Sequence, residues 1–89
     1  MQMKNLKEKS LFFKALSHPI RIKIIEYLLK KDDCNCICHI SKKIKKDQSV
    51  AFRHIQILKA ADIITTCKQD KFLACKIKNK ERIRKLLHI

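Results

Sequence analysis

Apolar residues recur at every third or fourth position along most of the chain, which is the spacing of one helix face. This pattern predicts four helices, over residues 3–16, 20–31, 39–45 and 48–61. The second predicted helix is apolar around most of its circumference, so we expect it to be the most buried. Pro19 fits its first turn, where the missing amide hydrogen is not needed for a helical hydrogen bond.

After the fourth predicted helix the pattern changes to the alternation that is typical of strands. Residues 63–67 and 71–77 are predicted as two antiparallel strands joined by a two-residue turn at 69–70. In that hairpin Cys67 and Cys75 lie on opposite faces, so a disulfide between them is not expected.

Asn79 is a candidate cap for a short basic helix over 79–88 that closes the chain. The predicted fold is therefore mainly α with a small β-hairpin, in the order α-α-α-α-β-β-α, which is the arrangement of a winged helix-turn-helix domain. The 89 residues suffice for one such domain, and a core this small often gains stability from dimerisation. The N-terminal helix carries an aromatic surface that must pack on the domain's own core or on a second copy.

The fourth predicted helix has two different faces. At about 100° per residue, Ala51, Ile55 and Leu58 fall on one side and are expected to pack inward. The opposite side carries amide, hydroxyl, guanidinium, ammonium and aromatic groups, on Gln48, Ser49, Phe52, Arg53, Gln56 and Lys59. Amide and guanidinium groups can pair with base edges and an ammonium group suits phosphate, although an ordinary solvated face would show the same pattern. Asp47 is the predicted N-cap of this helix.

Lysines near this helix extend the basic surface. They lie at the end of the third predicted helix and at the tip of the predicted hairpin, at Lys42, Lys45, Lys46, Lys68 and Lys71. All of them are candidates for contact with a phosphate backbone. Two basic helices separated by a tight turn favour nucleic-acid binding over the interpretation as a solvated face.

The chain has 22 Lys and Arg against 8 Asp and Glu, a formal net charge of +14 at pH 7. The excess positive charges repel one another in a compact domain, and binding to a polyanion is the simplest way to relieve that repulsion. An anionic membrane surface is the competing partner. However, no apolar run approaches the roughly 20 residues of a membrane span and no signal peptide is visible, so we expect a cytoplasmic protein without membrane contact.

Three segments resemble the ArsR/SmtB family of dimeric transcriptional repressors. Residues 15–21, Ala-Leu-Ser-His-Pro-Ile-Arg, look like the family's Ala-Leu-x-x-Pro-x-Arg entry to its second helix. Residues 36–40, Cys-Ile-Cys-His-Ile, are similar to the Cys-Val-Cys-Asp-Leu segment of its metal-sensing members. Residues 48–55, Gln-Ser-Val-Ala-Phe-Arg-His-Ile, resemble the Gln-Ser-x-Val-Ser-Arg-His-Leu of its recognition helix. The resemblance covers about residues 11–77.

The resemblance implies a homodimeric repressor that places two recognition helices in successive major grooves of a palindromic operator on double-stranded DNA. The terminal helices, over about 3–16 and 79–88, would form the dimer interface. Carried over position by position, the nucleic-acid contacts would include Gln48, Ser49, Arg53 and His54.

Three positions depart from the family pattern or have two interpretations. Phe52 stands where the family has Ser, so its ring would make an apolar contact with a base, for instance with a thymine methyl group. His54 lies toward the core side of the helix, so a hydrogen-bonded packing histidine fits its position as well as a phosphate contact does. Asp62 replaces the Gly that usually ends the recognition helix.

The five cysteines belong to a chain without a secretory signal and are expected to be thiols. Cys34, Cys36 and Cys38 are candidate ligands for a thiophilic ion, because thiolates are soft ligands. In a helix only Cys34 and Cys38 would share an ion, whereas an extended segment would place all three on one face. The resemblance implies zinc, cadmium, lead or arsenite as the ion. A redox thiol switch and unliganded buried thiols are the alternatives, and Cys67 and Cys75 are expected to be packing residues of the hairpin.

The sequence therefore favours a sequence-specific DNA-binding repressor, released by a thiophilic ion or by thiol oxidation at residues 34–38. The alternative is an effector-independent or non-specific basic DNA- or RNA-binding protein of the chromatin type, and a third class is a protein-interaction module with the same fold. An enzyme is not expected. The sequence has no phosphate-binding loop, no paired carboxylates in an apolar setting and no nucleophile with an evident base partner.

Overall fold

The computed structural model describes residues 5–69 and 72–87 of the chain. Within them the elements follow one another as α1 (Leu6–Leu16), α2 (Pro19–Leu29), β1 (Asn35–Cys36), α3 (Ile37–Ile44), α4 (Gln48–Ala60), β2 (Ile64–Gln69), β3 (Phe72–Ile77) and α5 (Lys80–Leu87). This order confirms the predicted winged helix-turn-helix and adds one short strand, β1. Predictions for residues 3–4, Asp70, Lys71 and residue 88 fall outside the described residues.

The strands form one antiparallel sheet in the order β1-β3-β2. Gln69 pairs with Phe72, so the predicted turn at 69–70 is wrong. Polar residues fill the whole tip, and alternation alone does not show which two of them lie between the paired strands. The observed register places Ala74 opposite Cys67 and Thr66 opposite Cys75. The two cysteines still lie on opposite faces, and no bond joins them.

Side-chain caps fix where several helices begin. Asn5 Oδ1 accepts a hydrogen bond from the amide of Glu8 at 2.8 Å, and His18 Nδ1 accepts one from the amide of Ile20 at 3.1 Å. Asn79 Oδ1 accepts from the amide of Arg82 at 3.1 Å, as predicted. Asp47 has the extended backbone of an N-cap, but its side chain makes no capping hydrogen bond. The prediction that the Asp47 carboxylate caps α4 is therefore wrong.

The core lies between the helices and the inner face of the sheet. Helix α2 is central, as predicted, with Ile24, Ile25 and Leu28 fully buried. In α1 the residues of the core are Phe12 and Ala15, whereas Leu6 and Phe13 remain exposed. The aromatic surface of α1 is thus divided between the domain's own core and the outside.

Helix α5 closes the domain against α1 and α2. Ile83 is buried, and the Arg82 guanidinium lies over the Phe12 ring at 5.0 Å from its centroid. Arg84 Nη2 donates a hydrogen bond to the carbonyl oxygen of Leu29 at 2.9 Å. These contacts bring the two terminal helices to the same side of the domain. Among residues 5–69 and 72–87, the helices are all too short or too polar to cross a membrane.

Candidate nucleic-acid interface

Helix α4 presents a polar side to solvent while its opposite side is fixed in the core. Ala51, Ile55 and Leu58 are fully buried, as their spacing predicts. We call the exposed side the outer face, and it consists of Gln48, Ser49, Phe52, Arg53, Gln56 and Lys59. These side chains project from a rigid support, because a helix anchored at three fully buried positions has little freedom to rotate.

The turn between α3 and α4 carries a basic depression of about 430 Å³. It is lined by Ser41, Lys42, Lys45, Lys46, Asp47 and Val50. Lys45 has a left-handed backbone with φ of 58°, which lets its amide and that of Lys46 bond back to the last turn of α3. The chain therefore reverses within a few residues, and three exposed ammonium groups lie beside the start of α4.

A second, more apolar groove of about 590 Å³ runs along the start of α4. Ile37 and Leu73 lie on its far side, and Gln48, Ser49, Phe52 and Arg53 form its near side. Phe52 is 42% exposed, which is high for a phenylalanine in a structured helix. Its ring at the groove offers an apolar contact next to the guanidinium of Arg53.

Beyond the helices, the hairpin of β2 and β3 forms the wing. Lys68 is exposed near the end of β2, as a phosphate contact requires. Lys71, predicted for the same role, lies outside the described residues. Among the described residues, the wing also carries exposed Lys76 on β3, but Lys68 is the one near its tip.

His54 does not lie on the outer face. Its ring is half-buried, with its centroid 4.8 Å from that of His18, and its Nδ1 lies 3.3 Å from Nη1 of Arg21. Burial lowers the pKa of His54, and the positive charges of His18, Arg21 and Arg53 lower it further. This position corresponds to the packing interpretation of His54, and the ring links α4 to the start of α2.

Arg21 is a residue whose structural role the sequence analysis missed. It is 93% buried by side-chain packing and donates from Nε to the carbonyl of Ala15 at 2.9 Å and from Nη2 to that of Lys14 at 3.0 Å. It thereby donates to two carbonyls in the last turn of α1 while contacting His54. The available signal was an arginine in the first turn of a helix that is apolar around most of its circumference.

Asp62 follows α4 at the position where the family resemblance predicts glycine. Its φ is 63°, in the left-handed region that glycine adopts freely and aspartate tolerates better than most residues. Its carboxylate accepts from Lys78 Nζ at 2.6 Å. The departure from glycine therefore keeps the same backbone reversal and adds an ion pair.

The cysteines are arranged differently from the prediction. Cys34 and Cys67 are joined in a disulfide with their Cα atoms 6.6 Å apart, within the range that such a bond spans. The expectation that all five are thiols is wrong for these two, and Cys67 is not merely a packing residue. They meet because the chain returns 33 residues later along the sheet, which local spacing does not reveal. Cys75 is buried and unpaired, as predicted, and burial raises its pKa to about 12.

Cys36 and Cys38 remain free and contact one another at the start of α3. The Cys36 sulfur accepts a hydrogen bond from the Cys38 amide at 3.3 Å. A hydrogen bond from the Cys38 side chain lowers the pKa of Cys36, and donating it raises the pKa of Cys38. Cys34 bonds to Cys67 instead of joining them, and residues 5–69 and 72–87 contain no group of three metal-binding side chains. The predicted three-thiol ion site does not fit this arrangement.

Comparisons with known proteins identify the same architecture. Residues 18–66 match the model of the arsR family of bacterial regulatory proteins. An uncharacterised HTH-type transcriptional regulator of Methanocaldococcus jannaschii is 33% identical over 67 residues, 75% of this chain and 74% of that protein.

Solved structures of low sequence identity share the fold. A homodimeric winged helix-turn-helix DNA-binding domain from Mycobacterium bovis has a TM-score of 0.82 at 17% identity, covering 99% of this chain and 87% of that one. NolR from Sinorhizobium fredii has a TM-score of 0.77 at 18% identity, covering 99% and 92%. HlyU from Vibrio cholerae has 0.78 at 21%, covering 98% and 95%.

The family match spans more than half of the chain, and the relative from M. jannaschii is matched over three quarters of it. That family consists of transcriptional regulators and not of enzymes. The chain belongs to the arsR family of bacterial regulatory proteins and is a DNA-binding transcriptional regulator of the winged helix-turn-helix type.

Proposed function

We propose that the protein is a homodimeric repressor that binds a palindromic operator by inserting α4 into the major groove of double-stranded DNA. The observation that carries the proposal is the division of α4 into a fully buried side and an exposed outer face. A helix fixed in this way presents the same side chains to every groove it enters, which base reading requires.

On the outer face, different groups have different roles. Arg53 and the amides of Gln48 and Gln56 can pair with base edges, and the Phe52 ring suits a thymine methyl group. Ser49 and Lys59 reach toward the backbone at either end. His54 is oriented by Arg21 and acts by positioning α4, not by contacting DNA.

Phosphate contacts are supplied around this face. The exposed lysines Lys42, Lys45 and Lys46 border the start of α4, and Lys68 lies on the wing. Each neutralised phosphate releases counterions, so affinity should fall steeply as salt rises. The net charge of +14 is thereby explained as a means of attraction to DNA.

The dimer is proposed to form through α1 and α5. Leu6, Phe13 and Leu86 are 82%, 62% and 46% exposed, and they lie on the two terminal helices, which meet where Arg82 lies over Phe12. Apolar side chains of this size are usually covered. The M. bovis domain with the same fold is described as homodimeric, which supports the same assembly here. A dimer on an operator would repress by occluding the promoter, and it would act in the cytoplasm where the chromosome lies.

Electrophoretic mobility shifts test the proposal with the DNA upstream of the protein's own gene and with random DNA of equal length. Arg53→Ala should weaken binding to the specific site by about 10- to 100-fold, because one bidentate base contact contributes about 1–3 kcal/mol. Lys23→Ala is the matched control, since it removes one exposed positive charge from α2.

Two outcomes would contradict the proposal. Equal affinity for the upstream and random DNA would indicate the non-specific basic protein instead. Loss of binding no greater for Arg53→Ala than for Lys23→Ala would show that the outer face of α4 does not read bases.

A further inference from the structure

The five cysteines occupy three different environments. Cys34 and Cys67 are bonded to one another and half-buried, Cys36 and Cys38 are free at the start of α3, and Cys75 is buried. Small thiols in solution can reach half-buried cysteines, which include Cys36 and Cys38 as well as the bonded pair. The bonded pair is therefore accessible to chemical exchange, whereas Cys75 is not.

The bond crosses the middle strand of the sheet. Strand β3 lies between β1 and β2, and Ala74 of β3 pairs with Cys36 on one side and with Cys67 on the other. Paired residues in a sheet point to the same face, so the Ala74 methyl group lies beneath the path of the bond. A methyl group is small enough to let Cys34 approach Cys67 from the far side of β3.

The segments that the bond joins flank the DNA-reading unit. Cys34 precedes α3, Cys67 follows α4, and the closed loop spans 33 residues that include both helices. Cys67 is also next to Lys68, the proposed phosphate contact of the wing. A covalent link at this place holds the wing against the segment that leads into the helix-turn-helix.

We propose that Cys34 and Cys67 are a reversible redox site, which exchanges with low-molecular-weight thiols and disulfides and determines how firmly the wing is held beside α3 and α4. Its effect on DNA binding rests on the proposed function, but the redox chemistry does not. Cys36, Cys38 and Cys75 are not members of the pair.

The exchange proceeds through a mixed disulfide. The Cys67 thiolate attacks one sulfur of a small disulfide, forms a mixed disulfide and releases the first small thiol. The Cys34 thiolate then attacks the Cys67 sulfur, so that the protein disulfide forms and the second small thiol leaves. Two protein thiols are oxidised and one small disulfide is reduced to two thiols, which balances electrons and protons. A small dithiol drives the reverse reaction.

The first experiment follows the bond without DNA. Full-length protein is equilibrated with reduced dithiothreitol or with oxidised glutathione. One portion is alkylated in denaturant and analysed by peptide mass spectrometry, and another is used without alkylation for thermal unfolding. Oxidation should yield one Cys34–Cys67 peptide and three alkylated thiols. It should raise Tm by roughly ten degrees or more, because closing a loop of this length restricts the unfolded chain.

Variants separate this pair from the other thiols. Cys67→Ser should abolish the Tm difference between the two redox conditions. Cys36→Ser is the matched control, since a hydroxyl can replace the sulfur as acceptor for the Cys38 amide, and it should retain the difference. A Cys36–Cys38 peptide in place of Cys34–Cys67, or an equal Tm under both conditions, would overturn the proposal.

A second measurement tests the link to DNA. Fluorescence anisotropy compares the oxidised protein, the reduced protein and Cys67→Ser on the same duplex. Loss of the Cys34–Cys67 bond should weaken DNA binding roughly three- to tenfold, because a wing that is no longer held in place must be ordered when it contacts DNA. Equal affinities in all three would refute the role in holding the wing. If no form binds any duplex, the proposed function fails, whereas the redox site is still judged by the peptides and by Tm.

Discussion

Helix α4 and the three-stranded sheet lie side by side but are built differently. Helix α4 separates its two tasks by face, with anchoring residues buried and contact residues exposed. In the sheet the two tasks are not separated, because Cys67 is both a disulfide partner of Cys34 and a member of the wing strand β2. Changes on the outer face of α4 should therefore affect binding without affecting stability, whereas chemical change in the sheet should affect both.

The largest expected effect comes from the buried side of α4. Ile55→Ala removes a fully buried side chain and should lower the free energy of unfolding by about 3 kcal/mol through lost burial and a residual cavity. Gln56→Ala, its exposed neighbour, should change it by less than about 0.5 kcal/mol. Urea denaturation measures both. Similar losses for the two variants would show that α4 is not divided by face.

Two arginines give the next contrast. Arg21→Met removes the guanidinium donors to the carbonyls of Ala15 and Lys14, of which the second still accepts from Ser17, and should lower the free energy of unfolding by about 2 kcal/mol. Arg53→Met should leave stability within about 0.5 kcal/mol of the parent while it impairs specific DNA binding. Thermal unfolding measures the stability of both variants. A greater loss of stability in Arg53→Met than in Arg21→Met would contradict the assigned roles.

The sheet provides a smaller effect at its middle strand. Ala74→Leu inserts a larger side chain beneath the disulfide and should lower the free energy of unfolding by about 1–2 kcal/mol. It should also slow formation of the Cys34–Cys67 bond in the oxidising buffer. Lys76→Leu, an exposed change on the same face of β3, is the control. An unchanged rate of bond formation in Ala74→Leu would contradict the crossing over Ala74.

The smallest expected effect is a pH dependence from His54. Its pKa is lowered in the folded state, mainly by burial, so the unfolded chain binds the proton more tightly. Stability should be full above the ordinary histidine pKa of 6.5 and should decline as the pH falls through the lowered value. Urea midpoints measured between neutral and mildly acidic pH follow this decline. His54→Gln should reduce the slope, and an identical slope would refute the assignment.

The same contrast explains what could be predicted from the sequence. The faces of α4 depend on local spacing, so Ile55 and Arg53 were assigned correctly to inside and outside. The hairpin register and strand β1 depend on pairings between distant residues, and polar residues at the tip left the turn ambiguous. The Cys34–Cys67 bond and the hydrogen bonds of Arg21 also join separate elements. Their partners become visible only when the chain is folded.

The proposed function depends on contact between the outer face of α4 and DNA. NMR titration of isotope-labelled protein with a DNA duplex from the region upstream of its gene tests this contact directly, because the backbone amide signals are followed at once. We expect the largest shifts at Gln48, Arg53 and Gln56 and along the turn at 42–46, with β1 little changed. Shifts concentrated on α1 and α5, with α4 unaffected, would contradict it.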